Sequence, residues 1–557
     1  MKCAAPVALI GPHDELVPFC NDERCRRIDE PHLGLANPQS GPHRSTTSSG
    51  AKIIGAHHAF SPLIMRPRAG FVILLLLFVT AAGFAIIGRG PWYDEFYSFY
   101  MVRPDVSVAT LAPAWMRDNH PPVFYALAWL WARLLETLGL GHTVELLRTV
   151  NCAILGIALV AALRVARSDP WFRAMAWYYA LALAALFTAL DRIDQLRSYF
   201  LSLVLTALVL PLLAQCLRKG GAQPRPIMLG VVLMLAFTVH LVTTVIVLGL
   251  VGATITQLIL VRRRPEAWRL ATIAAIVLVP FALFMAAQMT TIVANTTTFW
   301  IPPGPDAARW AIEQELSGAT TANPLLALCA IAGTMMIGIG AWRGHTRYRE
   351  PLTLIVTFVA GTVLALALLI VAHLHRPMLI TRYLVALDPI VAMVVAITAA
   401  HAVQRLPLRV QRTVDAVLLL ATAPILLVNL AGTVRQWSWN GTTTIIARQV
   451  HQCADTRVFA DLHWNGEVLN SAPRDNRDVL PFAYAMMARR HGFALSGAGS
   501  RALSATCPNL FWTEHAANLH PSATTVIAAL RAQGYRVESG QMVRRDLGWV
   551  LITPPVR

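Results

Sequence analysis

Two adjacent carboxylates, Asp94 and Glu95, carry the first chemical signal in this chain. They follow a long apolar run and are ringed by Trp92, Tyr93, Phe96, Tyr97 and Tyr100. A carboxylate in hydrocarbon costs roughly 2.5 to 3.5 kcal/mol even on the lenient insertion scale, so the pair belongs at a membrane surface. There a carboxylate can take a proton from an attacking group, the work of a general base. Further polar clusters break the apolar pattern: Asn119-His120-Pro121-Pro122, the turn from Asp191 and Asp194 through Arg197 to Tyr199, the loop 289–324, and His373 to Arg376 running into Thr381-Arg382-Tyr383.

The elements that must position these residues are membrane spans. With 56% hydrophobic and only 14% charged residues, and a mean hydropathy of +0.53, the chain is too apolar for a soluble globule. The net charge of +17 is scattered between apolar runs and forms no single stripe, which argues against nucleic acid as a partner. In a membrane protein such charge marks cytoplasmic loops. Apolar runs fall near 70–88, 122–140, 145–163, 171–190, 199–217, 227–261, 268–288, 325–341, 352–372, 378–400 and 413–431.

Basic anchors between these runs impose parity on the topology. Arg66 and Arg68 precede the first run, and Arg164, Arg167 and Arg173 follow the third. An even number of crossings must lie between them. The run Pro121 to Leu140 is therefore no span. It opens on two prolines, carries Arg133, Glu136, Trp129 and Trp131, and reads as an interfacial helix. Between Lys219 and Arg262 the long run must be two short helices meeting near His240. The expectation is a mostly α, polytopic protein of about 11 spans with interfacial helices, its N-terminus cytoplasmic and its C-terminus outside. The polar clusters then converge on one outer membrane surface.

Domain boundaries follow from composition. Residues 1–64 are rich in Pro, Gly, Ser, His and charge and are read as a disordered tail. Met65 onward has a basic flank and a span at once, so a start annotated too early would explain the tail. Residues 65–432 form the membrane-embedded domain, with its outer loop at 89–144. Residues 433–557 alternate short helices and strands, as a small extracytoplasmic α/β domain would. Its job is to cover the site or help select the acceptor, or else it is a structural appendage. Of the eight cysteines, Cys453 and Cys507 each precede an expected strand and are a candidate disulfide if the region is outside the cytoplasm. No His and carboxylate set has the spacing of a strong metal motif, so no metal and no cofactor are expected, a divalent ion being left open.

Several stretches in order resemble landmarks of the C-type (GT-C) membrane glycosyltransferases, in the branch of the protein O-mannosyltransferases and bacterial aminoarabinose lipid A transferases. They are Pro91-Trp92-Tyr93-Asp94-Glu95, His120-Pro121-Pro122-Val123-Phe124-Tyr125, Glu145-Leu146-Leu147-Arg148, Leu196-Arg197-Ser198-Tyr199-Phe200-Leu201 and Thr381-Arg382-Tyr383-Leu384, spread over roughly Gly70 to Pro389. The resemblance implies sugar transfer from a polyprenyl-phosphate donor to a lipid, protein or polysaccharide acceptor at the outer face of the cytoplasmic membrane. It assigns the first-loop carboxylate, Asp94, as the base. Glu95 orients Asp94 or binds acceptor. Arginine's planar fork suits a leaving phosphate, which makes Arg197 and Arg382 donor-phosphate ligands, with Tyr199, Tyr383 and His120 as further donors.

Each of these has a plainer reading: Arg197 and Arg382 as snorkelling anchors, Tyr199 and Tyr383 as belt aromatics. Two departures from the family pattern stand out. Many relatives have Glu where Gln195 stands, so the second carboxylate falls to Asp191 or Asp194, as acceptor or metal contacts. His120 replaces a Lys of the aminoarabinose branch, which leans the chain toward the other relatives. The rival function is a transporter or flippase of a lipid-linked or anionic substrate. Transporters place polar groups near the midplane within repeated halves, whereas no clear repeat is visible and the carboxylates lie beyond the span ends.

Overall fold

The computed structural model describes residues 68–118, 120–218, 223–295, 301–460, 479–497, 500–514, 522–545 and 548–556. The expected tail at 1–64 and the proposed start at Met65 lie outside the described residues. The first span, α1 (Arg68–Gly88), leads into two short helices of the first loop, α2 (Tyr93–Met101) and α3 (Val108–Trp115). Ser107 caps α3 by accepting from the Thr110 N–H, as an N-cap serine does. Next comes α4 (Val123–Thr137), whose 15 residues reach only about 22 Å at 1.5 Å per residue, short of the ~30 Å hydrocarbon core. It is not among the helices long and apolar enough to cross a membrane.

The chain then runs through α5 (Val144–Arg148), α6 (Val150–Ser168), α7 (Pro170–Ala185), α8 (Phe187–Ile193), α9 (Tyr199–Leu217), α10 (Pro226–Val239), α11 (Leu241–Leu260) and α12 (Arg264–Asn295). Asp169 caps α7 with Pro170 in its first turn, the arrangement that fixes a helix start. The second half of the bundle is α13 (Pro305–Thr321), α14 (Pro324–Trp342), α15 (Arg349–His375), α16 (Asp388–Val403) and α17 (Leu408–Val434). Among the described residues, nine segments have the length and apolarity of a span, or ten if the pair α7 and α8, bent by 68°, is one span. That is fewer than the expected 11, because α10, at 14 residues, is apolar but shorter than a span. His240 is the joint between α10 and α11.

Close helix packing fixes the bundle where small residues allow it. A Cβ on Gly249 of α11 would lie 2.4 Å from the Gly361 carbonyl oxygen of α15, so only glycine admits this approach. Two further details differ from the sequence expectation. The run 171–190 is not one straight helix but breaks at Leu186. The loop 289–324 contains α13, which packs Ala308, Ala311 and Glu315 inward at helical spacing.

The C-terminal region holds α18 (Asn440–Gln452), β1 (Arg457–Ala460), α19 (Val479–Arg490), β2 (Asn509–Thr513), α20 (Ala523–Ala532), β3 (Gln541–Arg545) and β4 (Gly548–Thr553). The sheet order is β1-β2-β4-β3, with β1 parallel to β2 and the other pairs antiparallel. A disulfide joins Cys453, at the end of α18, to Cys507, two residues before β2. The region docks on the first loop. Phe482 stacks on Phe99 at 5.7 Å and meets Tyr100 edge-on at 5.0 Å, and Arg490 pairs with Glu145 at 2.6 Å.

Candidate active site

Asp94 sits in the first turn of α2. Its carboxylate Oδ2 lies 3.2 Å from Arg382 Nη2, with both side chains mostly buried but still reachable. Burial works against the Arg382 charge, yet Asp94 and the rings of Tyr199 and Tyr383 outweigh it and keep the guanidinium firmly charged. The same guanidinium stacks over Trp92 at 5.1 Å and Tyr383 at 5.8 Å. Tyr93, next to Asp94, has its phenol pushed up to about 12 by burial and by that carboxylate.

A second arginine lies on the other side of Asp94. Arg197 Nη1 reaches Ser98 Oγ at 3.3 Å, and at 3.5 Å it touches both the Asp94 carbonyl oxygen and the Tyr125 hydroxyl. Tyr97 and Tyr199 flank its guanidinium, each 5.9 Å away. The rings of His120, Tyr199, His240 and Tyr383 form one cluster, with centroids 4.9 to 6.2 Å apart. Among the described residues, the Tyr199 hydroxyl and His240 Nδ1 are buried without a hydrogen-bond partner. Buried polar atoms in that condition cost free energy unless a ligand or water completes them. Thus Asp94, His120, Arg197, Tyr199, Arg382 and Tyr383, spread over some 290 positions of sequence, are neighbours in space.

Glu95, Asp191 and Asp194 stand apart from that group in a buried ionic network. Glu95 is fully buried, and Arg148 grips it with two bonds of 2.7 and 2.6 Å, while the Leu196 N–H donates to Oε1 at 2.9 Å. The same guanidinium donates to the carbonyls of Ile86, Arg89 and Gly90. Arg89 bridges Asp191 at 3.0 Å and Asp194 at 3.1 Å. Arg192 and Gln195 complete Asp191 at 2.5 and 3.1 Å. Burial pushes the Asp194 carboxyl well up, and Arg89 offsets only part of that. These contacts tie the end of α1, the first loop and the turn after α8 into one rigid base.

Asp118 is a residue that sequence reasoning passed over. It is buried, takes a hydrogen bond from Tyr125 at 2.7 Å and from Tyr97 at 3.2 Å, and lies 3.2 Å from His120 Nδ1. Burial would raise its carboxyl, but His120, Arg197 and the Tyr125 hydroxyl together hold it below the usual range. The available signal was the Asp118-x-His120 spacing. His373, in one of the polar clusters of the sequence, is a structural staple: its Nδ1 accepts the Met378 and Leu379 N–H groups and its Nε2 meets the Gly304 carbonyl. Burial and the adjacent Asp388 push the Glu315 carboxyl of α13 well up. Among the described residues, no three His, Cys, Asp or Glu side chains are grouped to hold a metal ion.

The chain shares its polytopic fold with solved ArnT structures. One of them is ArnT from Cupriavidus metallidurans bound to undecaprenyl phosphate, at a TM-score of 0.51 and 14% identity, over 87% of this chain and 98% of that one. The apo form of the same protein aligns over the same shares at a TM-score of 0.48 and 13% identity. No protein-family model matches the sequence, and no curated protein matches it.

Proposed function

We propose that this integral-membrane protein is a glycosyltransferase that moves a sugar from a polyprenyl-phosphate donor to an acceptor hydroxyl or phosphate, at the outer face of the cytoplasmic membrane. The observation that carries this reading is Asp94 in contact with Arg382, with Arg197 on its other flank and His120, Tyr199 and Tyr383 beside them. A base and two fixed cations at one point suit a reaction that removes a proton and releases a phosphate. Undecaprenyl phosphate bound to ArnT, which shares the fold, supports the donor class.

In the transfer step the acceptor oxygen attacks the anomeric carbon and its proton passes to the Asp94 carboxylate. The bond from that carbon to the phosphate oxygen breaks, and its electron pair stays on the polyprenyl phosphate. Arg382 and Arg197, with His120 and the two tyrosines, donate hydrogen bonds to the oxygens that gain charge. Glu95, gripped by Arg148, holds α2 so that Asp94 faces the site. The basic loops support a cytoplasmic N-terminus, and the docking of the C-terminal domain on the first loop supports a role in covering the site over that of a structural appendage.

The test is release of polyprenyl phosphate from a polyprenyl-phosphate hexose by the purified chain, given lipid, peptide and polysaccharide acceptors in turn. Asp94→Asn should cut turnover by at least about a hundredfold, the low end for loss of a general base, with expression unchanged. Near-normal turnover in that variant removes Asp94 from the role. A chain that carries the intact lipid-linked sugar across a vesicle without releasing polyprenyl phosphate is a transporter.

A further inference from the structure

Asp118 is the hub on which two of the site's donors, His120 and Arg197, rest. One carboxylate oxygen meets both His120 Nδ1, at 3.2 Å, and the Tyr125 hydroxyl, at 2.7 Å, while the other accepts from Tyr97 at 3.2 Å. Tyr125 in turn touches Arg197 at 3.5 Å. A buried carboxylate without partners is costly, so three donors converging on Asp118 mark a built arrangement. A bond at one imidazole nitrogen fixes the ring's tautomer and aim and leaves the other nitrogen for a ligand. Here that second nitrogen is Nε2, on a ring that packs against His240 and Tyr383.

We propose that Asp118 is a positioning residue for the transfer reaction: it orients His120 directly, and Arg197 through Tyr125, so that both present N–H donors to the leaving phosphate. This deepens the function proposed above and rests on it. His120 is met by Asp118 on its own loop and by the rings of His240, between α10 and α11, and Tyr383, before α16. Asp118 is the member that touches both routes.

The experiment is a double-variant comparison on the full chain in detergent, reading kcat, KM for a polyprenyl-phosphate hexose, and binding of polyprenyl phosphate itself. Asp118→Asn keeps an acceptor for Tyr97 and should lower kcat by about 10- to 100-fold, the size typical of a lost orienting partner. In a His120→Gln background the same change should cost far less, because the ring it orients is gone. If the two losses multiply in full, Asp118 acts independently of His120 and the proposal is overturned.

Tyr125→Phe guards against misfolding, since it leaves the carboxylate and its His120 contact in place. It should weaken polyprenyl phosphate binding severalfold in the parent and have no effect in an Arg197→Ala background. An undiminished effect there overturns the relay. A parent chain that neither binds polyprenyl phosphate nor releases it overturns the functional reading and this role with it. A working parent, crippled by His120→Gln but indifferent to Asp118→Asn, overturns this role alone.

Discussion

Replacing Arg148 by Met strands Glu95, and the structure says how badly. The guanidinium is fully buried and makes five hydrogen bonds, two to Glu95 and three to the carbonyls of Ile86, Arg89 and Gly90. Once it is gone, the Leu196 N–H is the donor left to the Glu95 carboxylate among the described residues. Breaking a buried pair from one side costs about 3 to 5 kcal/mol, because the partner charge is left uncompensated. The three abandoned carbonyls add on the order of 1 kcal/mol each. At roughly 2 °C per kcal/mol for a sizeable chain, this total of about 6 to 8 kcal/mol should lower the thermal unfolding midpoint by on the order of 12 to 16 °C. The assay is thermal unfolding of the purified protein in detergent, run on Arg148→Met, Glu95→Gln and the double variant. The double variant should recover part of the loss, since a neutral Gln no longer needs a counter-charge. An unchanged midpoint in Arg148→Met, or a double variant with the two single losses simply added, refutes the reasoning.

Other expectations follow from the same geometry. The Cys453–Cys507 disulfide closes a separation of 54 residues, so the Cys453→Ser/Cys507→Ser variant should lose about 3 to 4 kcal/mol of stability in the C-terminal region. Limited proteolysis, with and without a reductant, would reveal it as faster cleavage after residue 440. Asp118 has a depressed carboxyl, so its contribution to stability is fully present above its unfolded value of about 3.9 and is lost only as pH falls through the lower folded value. The unfolding gap between the parent and Asp118→Asn should thus be constant from about pH 5 to 8 and shrink only in strong acid. A gap that closes between pH 7 and 5 contradicts that sign.

Much of the fold is legible in the sequence, because hydropathy and loop charge act locally along the chain. Parity of the basic loops separated Pro121–Leu140 from the spans, and α4 is indeed absent from the span-length helices. It also divided the run 227–261 at His240, where α10 and α11 meet. The strands at Arg457 and Asn509 were visible as short apolar runs. What stayed hidden depends on contacts across long separations. Arg148 and Glu95 lie 53 residues apart and Arg89 and Asp191 lie 102 apart, and no local pattern announces such pairs. Helix α13 was masked by its polar composition, although Pro305 at its start and the inward spacing of Ala308, Ala311 and Glu315 were available signals. Asp118 gave little sign of its role because its partners, Tyr97 and Tyr125, come from two other helices.

The central claim is that Asp94, Arg197, Arg382 and His120 surround the point of sugar transfer. A cryo-electron microscopy structure of the chain with bound polyprenyl phosphate tests it most directly. The account predicts the phosphate within hydrogen-bonding distance of Arg197, Arg382 and His120, with the Asp94 carboxylate facing it across a gap wide enough for a sugar. A phosphate bound elsewhere in the bundle, with Asp94 still paired to Arg382, would contradict it.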